Sequence, residues 1–250
     1  IPFDCFAFSN YYTREGETRR DMNGLYYGPS KHGDLLIPTA FRLLHLISST
    51  VSTANFNKSM VYLTYIRMAM QGRWANRPDD AAVELPHPLS LGGTPLNEAI
   101  IAAMEIVPMF QKKNNVQIVN TIFLTDGEGT PMRGKWDASD ESYTDWGRHG
   151  HGSKTIITDP VTKRQYESHM GRDHAVFFDI LKDRTGTRIG GFYIAPGAKR
   201  SFQSVLRGFG MGGVGMTWDE MQDAWISAKK DGYVLVEAGG YDHMYIIPST

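Results

Sequence analysis

The most constraining feature of this sequence is a turn, a long apolar helix pattern and an apolar strand pattern in direct succession between Leu91 and Glu128. Gly92-Gly93 leads into Thr94-Pro95. Thr caps free backbone N–H groups and Pro fits a first helical turn without losing a needed donor, so this pair predicts a helix start. From Leu96 to Phe110 the apolar run is interrupted mainly by Asn97, Glu98 and Glu105, which predicts a helix buried over most of its circumference, with Pro108 kinking or shortening its end. Val116 to Leu124 lacks sustained polar alternation, the pattern of a parallel strand covered on both faces. Asp126 follows the strand. Ligands of open parallel sheets gather at the carboxyl ends of strands, and both Thr94 and Asp126 are expected there.

A hydroxyl and a carboxylate are hard oxygen donors of the kind Mg²⁺ accepts while it keeps several waters. By chemistry alone the plainer reading has the advantage: Thr94 as a helix cap and Asp126-Gly127 as a turn. Gly92-Gly93-Thr94-Pro95-Leu96 followed by Phe123-Leu124-Thr125-Asp126-Gly127-Glu128 nevertheless resembles the second and third elements of the metal-ion-dependent adhesion site of von Willebrand factor A (VWA) domains. The resemblance is to VWA domains of the cobaltochelatase CobT type and, more nearly, to VWA-like proteins of large tailed phages, with Ile1 to Phe8 similar to their second strand. It implies that Thr94 and Asp126 ligate a Mg²⁺ or another divalent cation. The family's first element, Asp-x-Ser-x-Ser, is absent from these residues, and the chain opens on Ile1 inside a strand-like segment. The sequence therefore reads as a VWA-like domain truncated on its N-terminal side, with the remaining metal ligands upstream.

Two glycine runs imitate phosphate-binding loops. Gly129 to Trp136 nearly spells a P-loop, but Trp136 stands where the Mg²⁺-holding Ser or Thr belongs and no helix pattern follows. Gly208, Gly210 and Gly213 fit G-x-G-x-x-G, but after a helix-like segment instead of a strand. His149 and His151, with His169 and His174 beyond, suit a transition metal by type, yet their spacing matches no known ligand pattern and favours a solvated loop.

With 250 residues, one large α/β domain is the default. A net charge of −1 and a pI near 6.8 leave no electrostatic footprint for nucleic acid or an anionic membrane, and no apolar run reaches spanning length. The single cysteine, Cys5, excludes an intramolecular disulfide, suits a reducing compartment and reads as inert packing.

Around the central segment, Phe3 to Phe8 reads as a strand, and Ser9 to Lys31 as a loop or hairpin carrying Tyr11, Tyr12, Tyr26 and Tyr27. Thr39 to Ser48 reads as a short helix containing a core histidine, His45. A second helix starts at Thr53 with Phe56, Met60, Leu63 and Met70 as its stripe, and 73 to 90 is an acidic, Pro-bearing loop. Residues 129 to 172 read as an insertion with few core anchors and a brief strand at Thr155 to Ile157. Asp173 to Lys182 reads as a helix, Arg188 to Ala195 as a strand whose glycines admit a close neighbour, and Pro196 to Arg207 as a loop and helix. Thr217 with Glu220 has the capping-box spacing for a helix through Lys229 or Lys230, and Tyr233 to Glu237 pairs with Tyr241 to Ile247 as a hairpin.

The expected fold is α/β, a doubly wound, mainly parallel sheet with helices on both faces. The resemblance implies a cation-dependent protein-interaction module, a binding subunit more than an enzyme, partnered by an AAA+ ATPase of the MoxR/CobS type in a chelatase-like or remodelling complex. A cytoplasmic setting follows, the host cytoplasm for a phage protein. Two other classes stay open: a metal-assisted hydrolase using Asp126, Glu128 and the insertion histidines, and a phage-associated scaffold without a functional metal site.

Overall fold

The structure, a computed structural model, describes residues 1–10, 34–37, 41–74, 93–125, 129, 133–134, 144–145, 155–168, 173–210 and 216–249. In chain order the first elements are β1 (Asp4–Asn10), β2 (Leu35–Leu36), β3 (Phe41–Ser48), α1 (Thr53–Trp74), α2 (Leu96–Asn114) and β4 (Asn120–Thr125). There follow β5 (Arg133–Gly134), β6 (Thr144–Asp145), β7 (Thr155–Thr158), β8 (Gln165–Ser168), α3 (Asp173–Thr185) and β9 (Arg188–Ala195). The chain closes with α4 (Lys199–Gly210), α5 (Trp218–Asp231), β10 (Val234–Val236) and β11 (His243–Pro248). By internal contacts they form two units, Ile1–Ser30 with Ile37–Pro95, and Lys31–Leu36 with Leu96–Thr250.

In the first unit β1 and β3 pair antiparallel, Asp4 opposite Ser48 and Asn10 opposite Phe41. Phe41 to Ser48, within the helix expected over Thr39 to Ser48, is therefore a strand. A register shift between Cys5 and Phe6 leaves Leu46 with no opposite residue, and this breaks the strict alternation that marks a strand in sequence. Pairing with β1 then outweighs local propensity. His45 is not a core histidine: its side chain is 47% exposed, stacks on the Phe6 ring and meets the Asp4 carboxylate at 3.3 Å. Cys5, beside the same register shift, is exposed instead of packed. Helix α1 begins where Ser52 Oγ accepts from the Asn55 N–H and packs on β3, with Phe56, Leu63 and Ile66 on its more buried side. Met60 of the expected stripe is exposed. The four loop tyrosines and the 75–92 segment lie outside the described residues.

The second unit has the α/β fold expected, a mixed, mostly parallel four-stranded sheet packed by helices, in the order β10-β11-β9-β4. Strand β9 runs parallel to both β4 and β11, while β10 is antiparallel to β11. Residues opposite one another share a face, so Phe123, Gly191 and Met244 lie on one side with Tyr193 and Ile246. That side carries the core: Phe202 and Leu206 of α4 and Met221, Ala224 and Ala228 of α5 pack on Tyr193, Ala195, Met244 and Ile246. Phe178 of α3 meets Phe123 edge-on at 5.2 Å and Tyr241 at 4.5 Å. On the other side Ile122, Leu124 and Leu235 are more than half exposed, so the strand expected over Val116 to Leu124 and covered on both faces is instead Asn120–Thr125, with Ile122 and Leu124 uncovered.

Close approach explains one strand glycine. A Cβ on Gly191 would lie 2.3 Å from Met244 Sδ and 2.5 Å from the Tyr241 ring, so the neighbour admitted is a turn aromatic and the adjoining strand, not a helix. The capping box at α5 forms, with Glu220 N–H donating to Thr217 Oγ1 and Thr217 N–H to Glu220 Oε2, and Gly232 at φ 83° closes the helix. The β10–β11 hairpin also forms. Helix α2 passes Pro108 without shortening and stops at Asn114, before Asn115 in the left-handed region at φ 51°.

The described residues of the 129–172 stretch have anchors that its composition does not indicate. β7 and β8 make a hairpin whose turn is built on Asp159: Val161 and Thr162 N–H groups and the Thr162 hydroxyl donate to its carboxylate. Asp159 is 1% exposed and paired with the Arg184 guanidinium of α3, which also faces Glu105 of α2 at 3.6 Å. Elsewhere in the stretch, β5 pairs with β2 and β6, so Gly134 of the P-loop look-alike lies in a short strand. Gly208 and Gly210 lie in α4, while Gly213 and most of the 129–136 run lie outside the described residues.

Candidate functional site

Thr94 stands two residues before α2, half-buried, behind Gly93 at φ 69°. A Cβ on Gly93 would lie 3.4 Å from Asn10 Nδ2, so within the first unit the end of β1 meets this turn. Asn10 is buried there with its Oδ1 lacking a hydrogen-bond partner. Asp126, like Glu128, lies outside the described residues, immediately after the carboxyl end of β4 at Thr125. Beyond it the chain returns: a Cβ on Gly129 would come within 3.1 Å of Leu96 Cβ, so Gly129 lies against the first turn of α2.

Two residues of that turn carry a signal that the sequence reading passed over. Asn97 and Glu98 are 4% and 3% exposed, and Asn97 Oδ1 and Glu98 Oε2 have no hydrogen-bond partner. Unpaired buried oxygens are costly and uncommon. Burial raises the Glu98 carboxyl to about 7, a bond to its own backbone N–H acting the other way. The sequence clue was available: polar residues at the start of an otherwise apolar helix, just after Thr94-Pro95.

The histidines part company. His149, His151 and His169 lie outside the described residues. His174 sits half-buried in the first turn of α3 against Phe178 at 6.0 Å and Tyr241 at 6.3 Å, and burial lowers its pKa. Among the described residues no group of three or more His, Cys, Asp or Glu is placed to hold a metal ion, and no helix is long and apolar enough to cross a membrane. Oxygen donors of hydroxyl, amide or single-carboxylate type fall outside that grouping and suit a hard cation. Compared with protein families, with curated proteins and with solved structures, the chain matches none.

Proposed function

We propose that this chain is a divalent-cation-dependent protein-interaction module of VWA type, in which Thr94 and Asp126 help hold a Mg²⁺ that keeps a position open for a partner's carboxylate. The observation that carries the reading is the return of the chain after Asp126 to the first turn of α2, at Gly129 and Leu96. Three further points support it: the parallel β4–β9 pair, the position of Asp126 after the carboxyl end of β4, and orphaned oxygens beside the same turn. The donors are hard oxygens, which fit Mg²⁺ better than a softer metal. Coordination of a partner's acidic side chain is binding chemistry, so the chain acts as a non-catalytic subunit. Its partner is an AAA+ ATPase of the MoxR/CobS type, and the pair works in the cytoplasm as a remodelling or chelatase-like complex.

The test is association of the chain with such an ATPase, measured by surface plasmon resonance with and without Mg²⁺. Binding should vanish in chelator and fall at least tenfold in Asp126→Ala. Association that survives both treatments sinks the proposal.

A further inference from the structure

The four-stranded sheet of the second unit is apolar on both sides and covered on one. The helices packed on it, α3 through Phe178 and α4 and α5 through the core cluster, lie on the side of Phe123, Tyr193, Met244 and Ile246. Strand alternation sends the intervening residues to the opposite side. There Ile122, Leu124 and Leu235 are joined by Ile194, 41% exposed, and Tyr233, 47% exposed. Phe192 stacks on Tyr245 at 5.0 Å and Tyr233 meets Tyr245 edge-on at 5.5 Å. This bare side has an aliphatic half on β4 and an aromatic half centred on Tyr245 of β11. Besides tyrosine, the ionisable side chains of these strands on this side are Arg188 and His243, both exposed at the amino-terminal rim. Parallel strands ordinarily have both faces covered, and a solvated sheet face is ordinarily polar.

The size of the patch narrows what covers it. A half-exposed side chain of this size leaves about 100 Å² open, so these five with the partly open Phe192, Tyr245 and Ile247 come to roughly 600 Å². That is the upper end of what a monomer leaves in water, ~600 Å². Two such patches face to face remove about 1,200 Å², the smallest area usual for a specific, stable interface. One partner helix, ~10 Å across, covers about half the width of four strands at ~4.8 Å spacing, whereas a second sheet of equal width covers all of it.

We infer that two copies of this chain associate through this side of the sheet, stacked as the two layers of a sandwich. A two-fold axis along the strands lays the aliphatic half of each copy over the aromatic half of the other, so one patch serves both copies. The net charge of −1 leaves little repulsion between them. The patch takes no part in the proposed cation site, and pairing proceeds without metal. It makes the chain bivalent, so a partner with repeated subunits is held by two modules at once.

The test is sedimentation equilibrium of the full 250-residue chain in chelator, from low to high micromolar concentration. Wild type should follow a monomer–dimer equilibrium. Leu124→Glu and Leu235→Glu place a charge in the patch at positions already more than half exposed, and each should raise the dissociation constant at least tenfold. Ile156→Glu, equally exposed on β7 outside this sheet, should leave it unchanged. Circular dichroism establishes that each variant is folded, and Leu124→Ser, a milder change, gives a second reading of the β4 side. A wild type that stays monomeric overturns the inference and assigns the patch to another protein or to none. A dimer that the patch variants preserve lies on another surface and overturns it too. Association that grows beyond a dimer, or that Ile156→Glu weakens equally, is general stickiness and does the same. Because every run is in chelator, each of these outcomes leaves the proposed cation-dependent function standing.

Discussion

Glu98 sets a pH dependence that belongs to one side chain. Its carboxyl lies near 7 in the folded chain against an ordinary value of 4.5, so the fold keeps a proton that the unfolded chain releases. Stability is then undiminished below about 4.5, falls as pH rises and is fully reduced above about 7. A shift of this size corresponds to about 3 kcal/mol. Glu98→Gln removes the titration, so in chelator the variant should gain about that much on wild type between pH 4.5 and pH 8, read from urea unfolding. A difference independent of pH would contradict it. Asp159 works in the opposite sense. Arg184 first, then Thr162 and the Val161 and Thr162 N–H groups, hold its carboxyl well below the usual range despite burial. Its contribution is present at neutral pH and is lost only as pH falls through the depressed value. Asp159→Asn removes the buried carboxylate and leaves Arg184, at a 13% exposed site, with the more distant Glu105 at 3.6 Å, and should cost ~3–5 kcal/mol by the same unfolding measurement at pH 7. A loss under 1 kcal/mol, roughly that of an exposed ion pair, would show that the pair holds nothing.

Single elements show how far local signals reach. The α5 cap was legible because its donors and acceptors lie within four consecutive residues, Thr217 to Glu220. Thr217→Ala should lower stability by ~1 kcal/mol in chemical unfolding, and a neutral outcome would mean that water replaces the cap. The β9 glycines were legible only as a permission. The register that sets Gly191 beside Phe123 and Met244, under the Tyr241 ring, comes from strands remote in sequence. Gly191→Ala should cost ~1–3 kcal/mol by forcing Met244 and Tyr241 aside, while Gly190→Ala, where only Ile122 lies within 4 Å at 3.8 Å, should cost less. Equal costs would dismiss close packing as the reason for Gly191. The β7–β8 hairpin was missed in part because its anchor, Asp159 with Arg184, joins residues 25 positions apart.

Across the whole molecule, stability should follow strand pairing. β9 is bonded on both sides, by β4 and β11, and β11 by β9 and β10, whereas β1 has β3 alone as a described partner. Amides of 189–194 and 244–246 should exchange with solvent most slowly, and those of β1 and β3 sooner, as measured by hydrogen–deuterium exchange. Slowest exchange in β1 would place the stability core in the other unit. The sequence by itself determined where particular helices start and stop, since caps and turns act over a few residues: Thr94-Pro95, Thr217 with Glu220, the β10–β11 turn. It also marked Thr94 and Asp126 as oxygen donors. Only the tertiary structure decided that Phe41 to Ser48 pairs as a strand, that Asp159 is a buried anchor, and that Asn97 and Glu98 are enclosed with unpaired oxygens. Pairing, burial and desolvation depend on neighbours brought from far along the chain, and no local pattern encodes them.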